Sequence, residues 1–348
     1  MFHLVITACL AAEPELCAER LLPTPEPLTE AACRAGAEAR IADWIALHPE
    51  LFPDDWHCAP TGDLRPVVLR EIAPGVWVHA GRSEPVSPAN GGDIANLGVV
   101  VGDRVAVIDP GGSRAIGEGL YAAIRQITDK PVAHVILTHM HPDHIYGAEV
   151  FAEAGAEIIA HPNLASGLER RAEVWAETVP REAGARAMLG TRAVLPDRKV
   201  AAPEEIDLGS ATLRLSPMAT AHTDNDMTVL HLESGTLFTG DLVFVGLTPS
   251  LDGSLTGWLD WLDHAPDPLP QRIVPGHGPA VVDWETGTDP LRAYLTALAD
   301  QTRTAIRAGE AMGEAVAHVG KDQGDGWNGF DEINTRNAVA AFKELEWE

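Results

Sequence analysis

The sequence predicts an α+β fold of four layers, helix–sheet–sheet–helix, behind a small cysteine-rich front domain. Three observations lead there. Short β-branched runs followed by segments of helical spacing occur twice in succession, a pattern that suits two sheets back to back with helices outside. A dense cluster of histidine and aspartate follows a buried strand-like run at 134–144. All four cysteines, Cys9, Cys17, Cys33 and Cys58, lie at the front of the 348 residues. At that length, with 45% hydrophobic and 22% charged residues, the chain can form one large domain plus a small one.

The front domain is expected over 1–64. Leu4–Leu10 reads as a strand, and Thr29 is a plausible N-cap for a helix to Leu47 with Ala32, Ile41, Trp44 and Ile45 as apolar points. Pro60-Thr61-Gly62-Asp63 reads as a linker. The main domain, 65–348, starts with strands at Val67–Ile72, Val76–Ala80, Ile94–Val101 and Val105–Asp109, cut by turns such as Pro74-Gly75. A helix at Ser113–Thr128, a strand at His134–Thr138, a helix at His144–Ala154 and a strand at Glu157–Ala160 follow. Pro162–Leu189 is helical, interrupted near Pro180, and suits an insertion beside a site. The second round has strands at Ile206–Leu208, Thr212–Pro217, Met227–Leu232, Thr236–Thr239 and Arg272–Val274. Its helices are expected at Leu255–His264, Leu291–Ala317 and Asn334–Leu345.

The cysteines contain no Cys-x-x-Cys, which argues against a zinc ribbon. Two disulfides suit a domain too small to build much core, with three pairings open. That reading places the protein in an oxidising compartment, the periplasm for a bacterial protein. Four reduced, buried cysteines in a cytoplasmic protein are the alternative, since the short apolar opening Met1–Ala12 lacks a basic stretch and reads as a strand rather than a signal peptide. No apolar run reaches the roughly 18 residues of a membrane span. The formal net charge of −26 argues against nucleic acid and anionic membrane surfaces as partners. A small-molecule substrate remains open, because a cationic centre can reverse the field inside a pocket.

The chemistry concentrates in Thr138-His139-Met140-His141-Pro142-Asp143-His144. Three imidazoles and a carboxylate packed so closely repel or clash unless a metal joins them. In an extended turn His139 and His141 point the same way, toward one ion, while Asp143 and His144 lie past the turn and can face a second. His222, Asp241 and His277 each follow a strand-like run, where a rigid frame meets a loop. The other nine histidines read as ordinary surface or core residues.

His-x-His-x-Asp-His followed by separate His, Asp and His resembles the metallo-β-lactamase-fold hydrolase superfamily, from about Val67 to the end. The resemblance implies that His139, His141 and His222 bind one ion, Asp143, His144 and His277 a second, and Asp241 both. This full set is similar to the glyoxalase II and lactonase branches. Typical metallo-β-lactamases lack the bridging Asp, and flavodiiron proteins carry Glu where this chain has His141. The four-cysteine front together with the ending Glu344-Leu345-Glu346-Trp347-Glu348 is similar to a narrower group, the SoxH-related quinoprotein relay system zinc metallohydrolases, associated with periplasmic quinoprotein dehydrogenases. Asp109 in Ile108-Asp109-Pro110-Gly111-Gly112 resembles the family's strand-end Asp, which orients the ligand loop.

Two divalent ions about 3.5–4 Å apart can share a hydroxide, which would attack an ester, lactone, thioester or amide while Asp143 or Asp241 steers protons. Zinc is the expected metal, and iron or manganese also suit these ligands. Tyr146 could donate to an oxyanion or simply pack. Substrate choice is expected in Ala80–Ala95 and Pro162–Leu189. The rival readings are a glyoxalase II-like thioesterase, weakened by the lack of a basic cluster for glutathione near the C-terminus, and a non-enzymatic accessory protein whose front domain docks a protein partner.

Overall fold

The computed structural model describes all residues 1–348. Its front segment is an antiparallel sheet of β1 (Phe2–Leu10), β2 (Glu13–Leu22) and β3 (Leu51–Pro60), in the order β2-β1-β3, covered by α1 (Glu30–Leu47). Strand alternation divides β1 between two cores. Leu4, Ile6 and Ala8 face α1, meeting Cys33, Ala37, Ile41 and Trp44. Val5, with Leu21 and Ala59, joins the core of the main body instead. Thr29 caps α1 as expected, accepting from the Ala32 N–H at 3.2 Å. Disulfides join Cys9 to Cys17 and Cys33 to Cys58. The first spans a β1–β2 pair in which the two residues are directly opposite; the second pins α1 to β3.

The main body begins with a seven-stranded sheet of β4 (Arg70–Ala73), β5 (Val76–His79), β6 (Leu97–Val101), β7 (Val105–Ile108), β8 (Val132–Leu137), β9 (Glu157–Ala160) and β10 (Arg198–Lys199), in reverse sequence order. Helices α2 (Arg114–Ile127), α3 (Pro142–Ile145), α4 (Ala148–Glu153), α5 (Leu164–Ala183) and α6 (Ala185–Met188) are threaded between its later strands. The second sheet has β11 (Glu204–Asp207), β12 (Thr212–Pro217), β13 (Met227–His231), β14 (Thr236–Phe244) and β15 (Arg272–His277), in sequence order. It carries α7 (Leu255–Asp263), α8 (Trp284–Ala308), α9 (Met312–Val316) and α10 (Phe330–Leu345).

Inner strands such as β6 and β7 are apolar on both faces, as sheets buried on both sides require, whereas the outer β4, β10 and β11 carry charged, exposed residues. Leu97, Val99, Val105, Val107, Val135, Leu137 and Ile158 face α2, α4 and α5. The residues between them, Val100, Ala106, Ile108, Ile136 and Ile159, meet Leu213, Leu215, Val229 and Phe238 of the second sheet. A third core lies under α7, α8 and α10, with Trp258, Leu291, Leu295 and Phe342. The four-layer αββα sandwich is therefore as expected.

Element boundaries differ in several places. Strands β2 and β3 were not anticipated: each mixes charged residues and proline, and only their ends face a core. The helix expected over His144–Ala154 is two short pieces, α3 and α4, separated around Gly147. Helix α5 runs through Pro180 and stops at Gly184, at φ 91°. The helix expected over Leu291–Ala317 starts earlier, where Asp283 caps it by accepting from Thr286 N–H at 2.7 Å. It ends at Gly309 in the left-handed region, and α9 is a separate turn. No helix is long and apolar enough to cross a membrane.

A buried ionic cluster welds the front segment to the main body. The Arg114 side chain, fully buried at the start of α2, meets Glu118 at 2.9 Å, Glu149 at 3.2 Å and Glu153 at 2.7 Å. Burial opposes its charge, but Glu153, Glu118 and Glu149 outweigh that and hold its pKa above the ordinary value. The guanidinium also donates to the Leu21 carbonyl at 2.8 Å, and Glu153 accepts from Trp44 Nε1 at 3.0 Å. A desolvated charge is tolerated only with partners of this number and geometry.

Candidate metal centre

Four places bring the site together, three at strand ends or in loops as expected and one, Asp241, inside a strand that runs on past the expected Thr239. His139, His141, Asp143 and His144 follow β8; Asp241 lies toward the end of β14; and His277 closes β15. His222 sits in the turn between β12 and β13. Gly276 lets β15 approach this closely, since a Cβ there would lie 2.0 Å from Asp241 Oδ1. All seven expected residues converge, in two groups. The candidate ligand atoms of His139, His141, His222 and Asp241 lie within 4.8 Å of one another, and so do those of Asp143, His144 and His277.

The outer hydrogen bonds fix which nitrogen of each neutral ring faces inward. Thr138 Oγ1 donates its proton to Asp109 Oδ2 at 2.7 Å. It must therefore accept from His139 Nδ1, 3.1 Å away, and His139 Nε2 is left with a bare lone pair. His144 Nδ1 donates to Asp109 Oδ2 at 2.8 Å, His222 Nδ1 to the Ser250 carbonyl at 2.6 Å and His277 Nδ1 to the Ile94 carbonyl at 2.9 Å. His141 is turned the other way: its Nε2 donates to Asp252 Oδ2 at 3.1 Å, and its Nδ1 faces His222 Nε2 at 3.0 Å. Five imidazoles thus turn one nitrogen each toward one small volume, a lone pair apiece in the neutral form.

Asp241 stands between the groups. Its Oδ2 lies 3.5 Å from His139 Nε2 and 3.4 Å from His222 Nε2, while its Oδ1 lies 3.0 Å from His144 Nε2 and 3.3 Å from His277 Nε2. Asp143 Oδ2 is 3.2 Å from His277 Nε2 and 3.5 Å from His144 Nε2. Yet His139 Nε2, His144 Nε2 and Asp241 Oδ1 are fully buried without a hydrogen-bond partner. Buried polar atoms seldom go unpaired. A donor set of imidazole nitrogens and carboxylate oxygens, orphaned together, fits divalent cations. Burial, reinforced by the neighbouring imidazoles, pushes His139 down to about 4 and His222 well below the usual histidine range, which favours the neutral, ligating form. Against burial, Asp241 and Asp143 instead raise His144 well above that range and His277 to about 9, so these two rings must give up a proton when a cation binds. Burial would raise Asp241, but His277, His144 and His139 hold it well below the usual carboxylate range.

Asp109 orients the loop as expected. Its Oδ1 accepts from the Thr138 N–H at 2.8 Å, its Oδ2 serves His144, and its backbone sits at φ 54°, a costly conformation for a residue with a side chain. Tyr146 packs in the first core, where burial pushes its phenol up to about 12. Asp252 was not anticipated. It holds His141, and it also pairs with Arg171 of α5. It lies in a loop 111 positions from its histidine, and no local spacing marks it. The cleft above the cluster is about 1070 Å³ and is lined by residues from 85–94 and from α5, both expected to shape it. Its third wall, from the start of α10, was not expected.

The superfamily model described as "Metallo-beta-lactamase superfamily" matches residues 90–277, over half of the chain. The chain belongs to the metallo-beta-lactamase superfamily. Solved structures of this fold superpose on it at low identity. A metallo-beta-lactamase from Pontibacter korlensis is 20% identical with a TM-score of 0.53, covering 66% of this chain and 98% of its own. A metallo-beta-lactamase family protein from Thermus thermophilus is 20% identical with a TM-score of 0.59, covering 80% and 94%. A stereoselective inverting sec-alkylsulfatase from Pseudomonas sp. is 18% identical with a TM-score of 0.59, covering 80% of this chain and 50% of its own. The superfamily and the clustered His and Asp ligand atoms together mark a metal-dependent hydrolase. The matched segment begins after the disulfide-linked front, so that front is an addition to what the superfamily model describes.

Proposed function

We propose that the protein is a binuclear metal-dependent hydrolase of a small carbonyl ester, lactone, thioester or amide. His139, His141 and His222 would hold one ion, Asp143, His144 and His277 the other, and Asp241 both. The observation that carries this reading is the outward anchoring of all five rings, which turns the other nitrogen of each toward the cluster, with Asp241 presenting Oδ1 and Oδ2 to different groups. Zinc suits these donors, as do iron and manganese. Bound there, such ions would supply Lewis acidity and bring the pKa of water to about 7. Asp143, the more accessible of the two carboxylates, would steer protons through the oxygen that is not turned to His144 and His277. Asp109 and Asp252 fix the rings, and Phe244, stacked on His277 at 4.9 Å, keeps water off that side.

The two disulfides point to an oxidising compartment, and we assign the protein to the periplasm, where a link to a quinoprotein system would be met. Free-thiol counting in denatured, unreduced protein from its native compartment tests this: four thiols would defeat it. The decisive test of the hydrolase reading is metal content per chain, by mass spectrometry on protein purified without chelator or added metal. Two ions per chain are expected. No metal, and none taken up on titration, would overturn the reading.

A further inference from the structure

We propose that the cleft takes an uncharged ester or lactone with an apolar, ring-bearing body, and that its rim rejects an anionic group remote from the reacting carbonyl. This rests on the hydrolase reading for the position of that carbonyl, at the floor formed by His141, Asp143, Asp241 and His277.

Two observations carry it. The first is the wall. Val174 and Trp175 of α5, Val86, Phe244, and Phe330 and Ile333 of α10 face the same cleft. Val174 is 58% exposed, an apolar side chain turned to the cleft rather than to the core that takes Leu164, Leu168 and Val179 of the same helix. Trp175 stands edge-on to His141 at 6.2 Å between ring centroids, so an apolar body along this wall begins at the floor. These side chains form an apolar stripe through a lining that is otherwise polar and charged, and small-molecule sites seat the body of a ligand on such a stripe.

The second is charge. Arg171 and Arg336 are the cations of the lining, and neither is free. Arg171 is paired with Asp252 and lies over the Trp175 ring at 5.9 Å. Arg336 is paired with Glu332 at 2.5 Å. The pairing of Arg336 is exposed and weak, but Glu182 and Asp331 on the same rim have no ion-pair partner, so the rim stays negative even if Arg336 swings inward. Divalent ions at the floor would attract an oxyanion there, while a second anion farther out meets carboxylates and no available cation.

Equilibrium binding tests this, with the cell contents checked by chromatography so that only titrations in which the probe stays intact are counted. The probes are butyranilide, a neutral amide with a ring, and its ring-sulfonated counterpart, titrated calorimetrically into the purified protein with metal content measured on the same preparation. Butyranilide should bind at least about tenfold tighter, the size expected from two like charges on a partly hydrated rim. Glu182→Lys, at an exposed position without a partner, should narrow the ratio about threefold or more. Trp175→Ala should weaken butyranilide about fivefold or more. Equal or tighter binding of the sulfonated probe to protein that retains two metals would overturn the proposal and leave the hydrolase reading standing. A preserved preference in protein that takes up no metal would sink the hydrolase reading and leave the cleft assignment standing.

Discussion

The front segment and the metal pocket are held by opposite means. In the front, two covalent cross-links and a small apolar core order three strands and a helix. In the pocket, no covalent bond fixes the geometry. Asp109, Asp252 and two backbone carbonyls each hold a ring by one hydrogen bond, and His139 is held by a threonine hydroxyl. A disulfide limits the unfolded chain but is indifferent to tenths of an ångström at the far end of the molecule. Coordination depends on those tenths. The difference predicts that stability and metal affinity can be changed separately.

The largest effect should come from the carboxylate between the two groups. Asp241→Ala is expected to lower metal affinity by more than about 100-fold, beyond the 10–100-fold typical of outer hydrogen-bond partners, and to abolish hydrolysis. Metal analysis and turnover of any substrate found check this; retained stoichiometry with full activity would contradict it. Next is the junction of the two regions. Arg114→Ala leaves Glu118, Glu149 and Glu153 without their cation and should cost about 3–5 kcal/mol in urea unfolding. Replacing Cys33 and Cys58 by Ala should cost about 2–4 kcal/mol while the metal count and affinity stay unchanged. A loss of metal in that variant would show that the two regions are coupled more tightly than their contacts imply. The smallest effect is Asp252→Asn, which keeps the shape but weakens the hold on His141. Metal affinity should fall about 10–100-fold, with unfolding free energy altered far less than by Arg114→Ala.

Much of the site was legible because its signal is local. His139, His141, Asp143 and His144 lie within six residues, and His222, Asp241 and His277 follow apolar runs whose strand character is unambiguous. The groups that hold them divide by distance along the chain. Asp109 sits at the end of a strand and could be read from its own surroundings. Asp252 acts on His141 across more than a hundred residues, and a loop aspartate followed by glycine has no periodicity to distinguish it from an ordinary turn. The fold followed the same rule. Buried strands such as Val105–Ile108 and Val132–Leu137 read clearly, whereas β2 and β3, charged along much of their length, are strands because a neighbouring strand and a cross-link hold them. The wall from α10 was missed because that helix was expected to begin only at Asn334, which left Phe330 and Ile333 unassigned; it begins at Phe330, and its first turn faces the cleft.

The chain of contacts from Arg171 through Asp252 to His141 bears on how this protein could be given a new specificity. Position 171 belongs to the wall and, at one remove, to the metal. A library that randomises it samples substrate preference and metal retention together, and the two selections will conflict. Phe330 and Ile333, in the wall from α10, have no such attachment. Laboratory evolution should gain ground faster there, and substitutions at 171 should become acceptable only after Asp252 has found another partner.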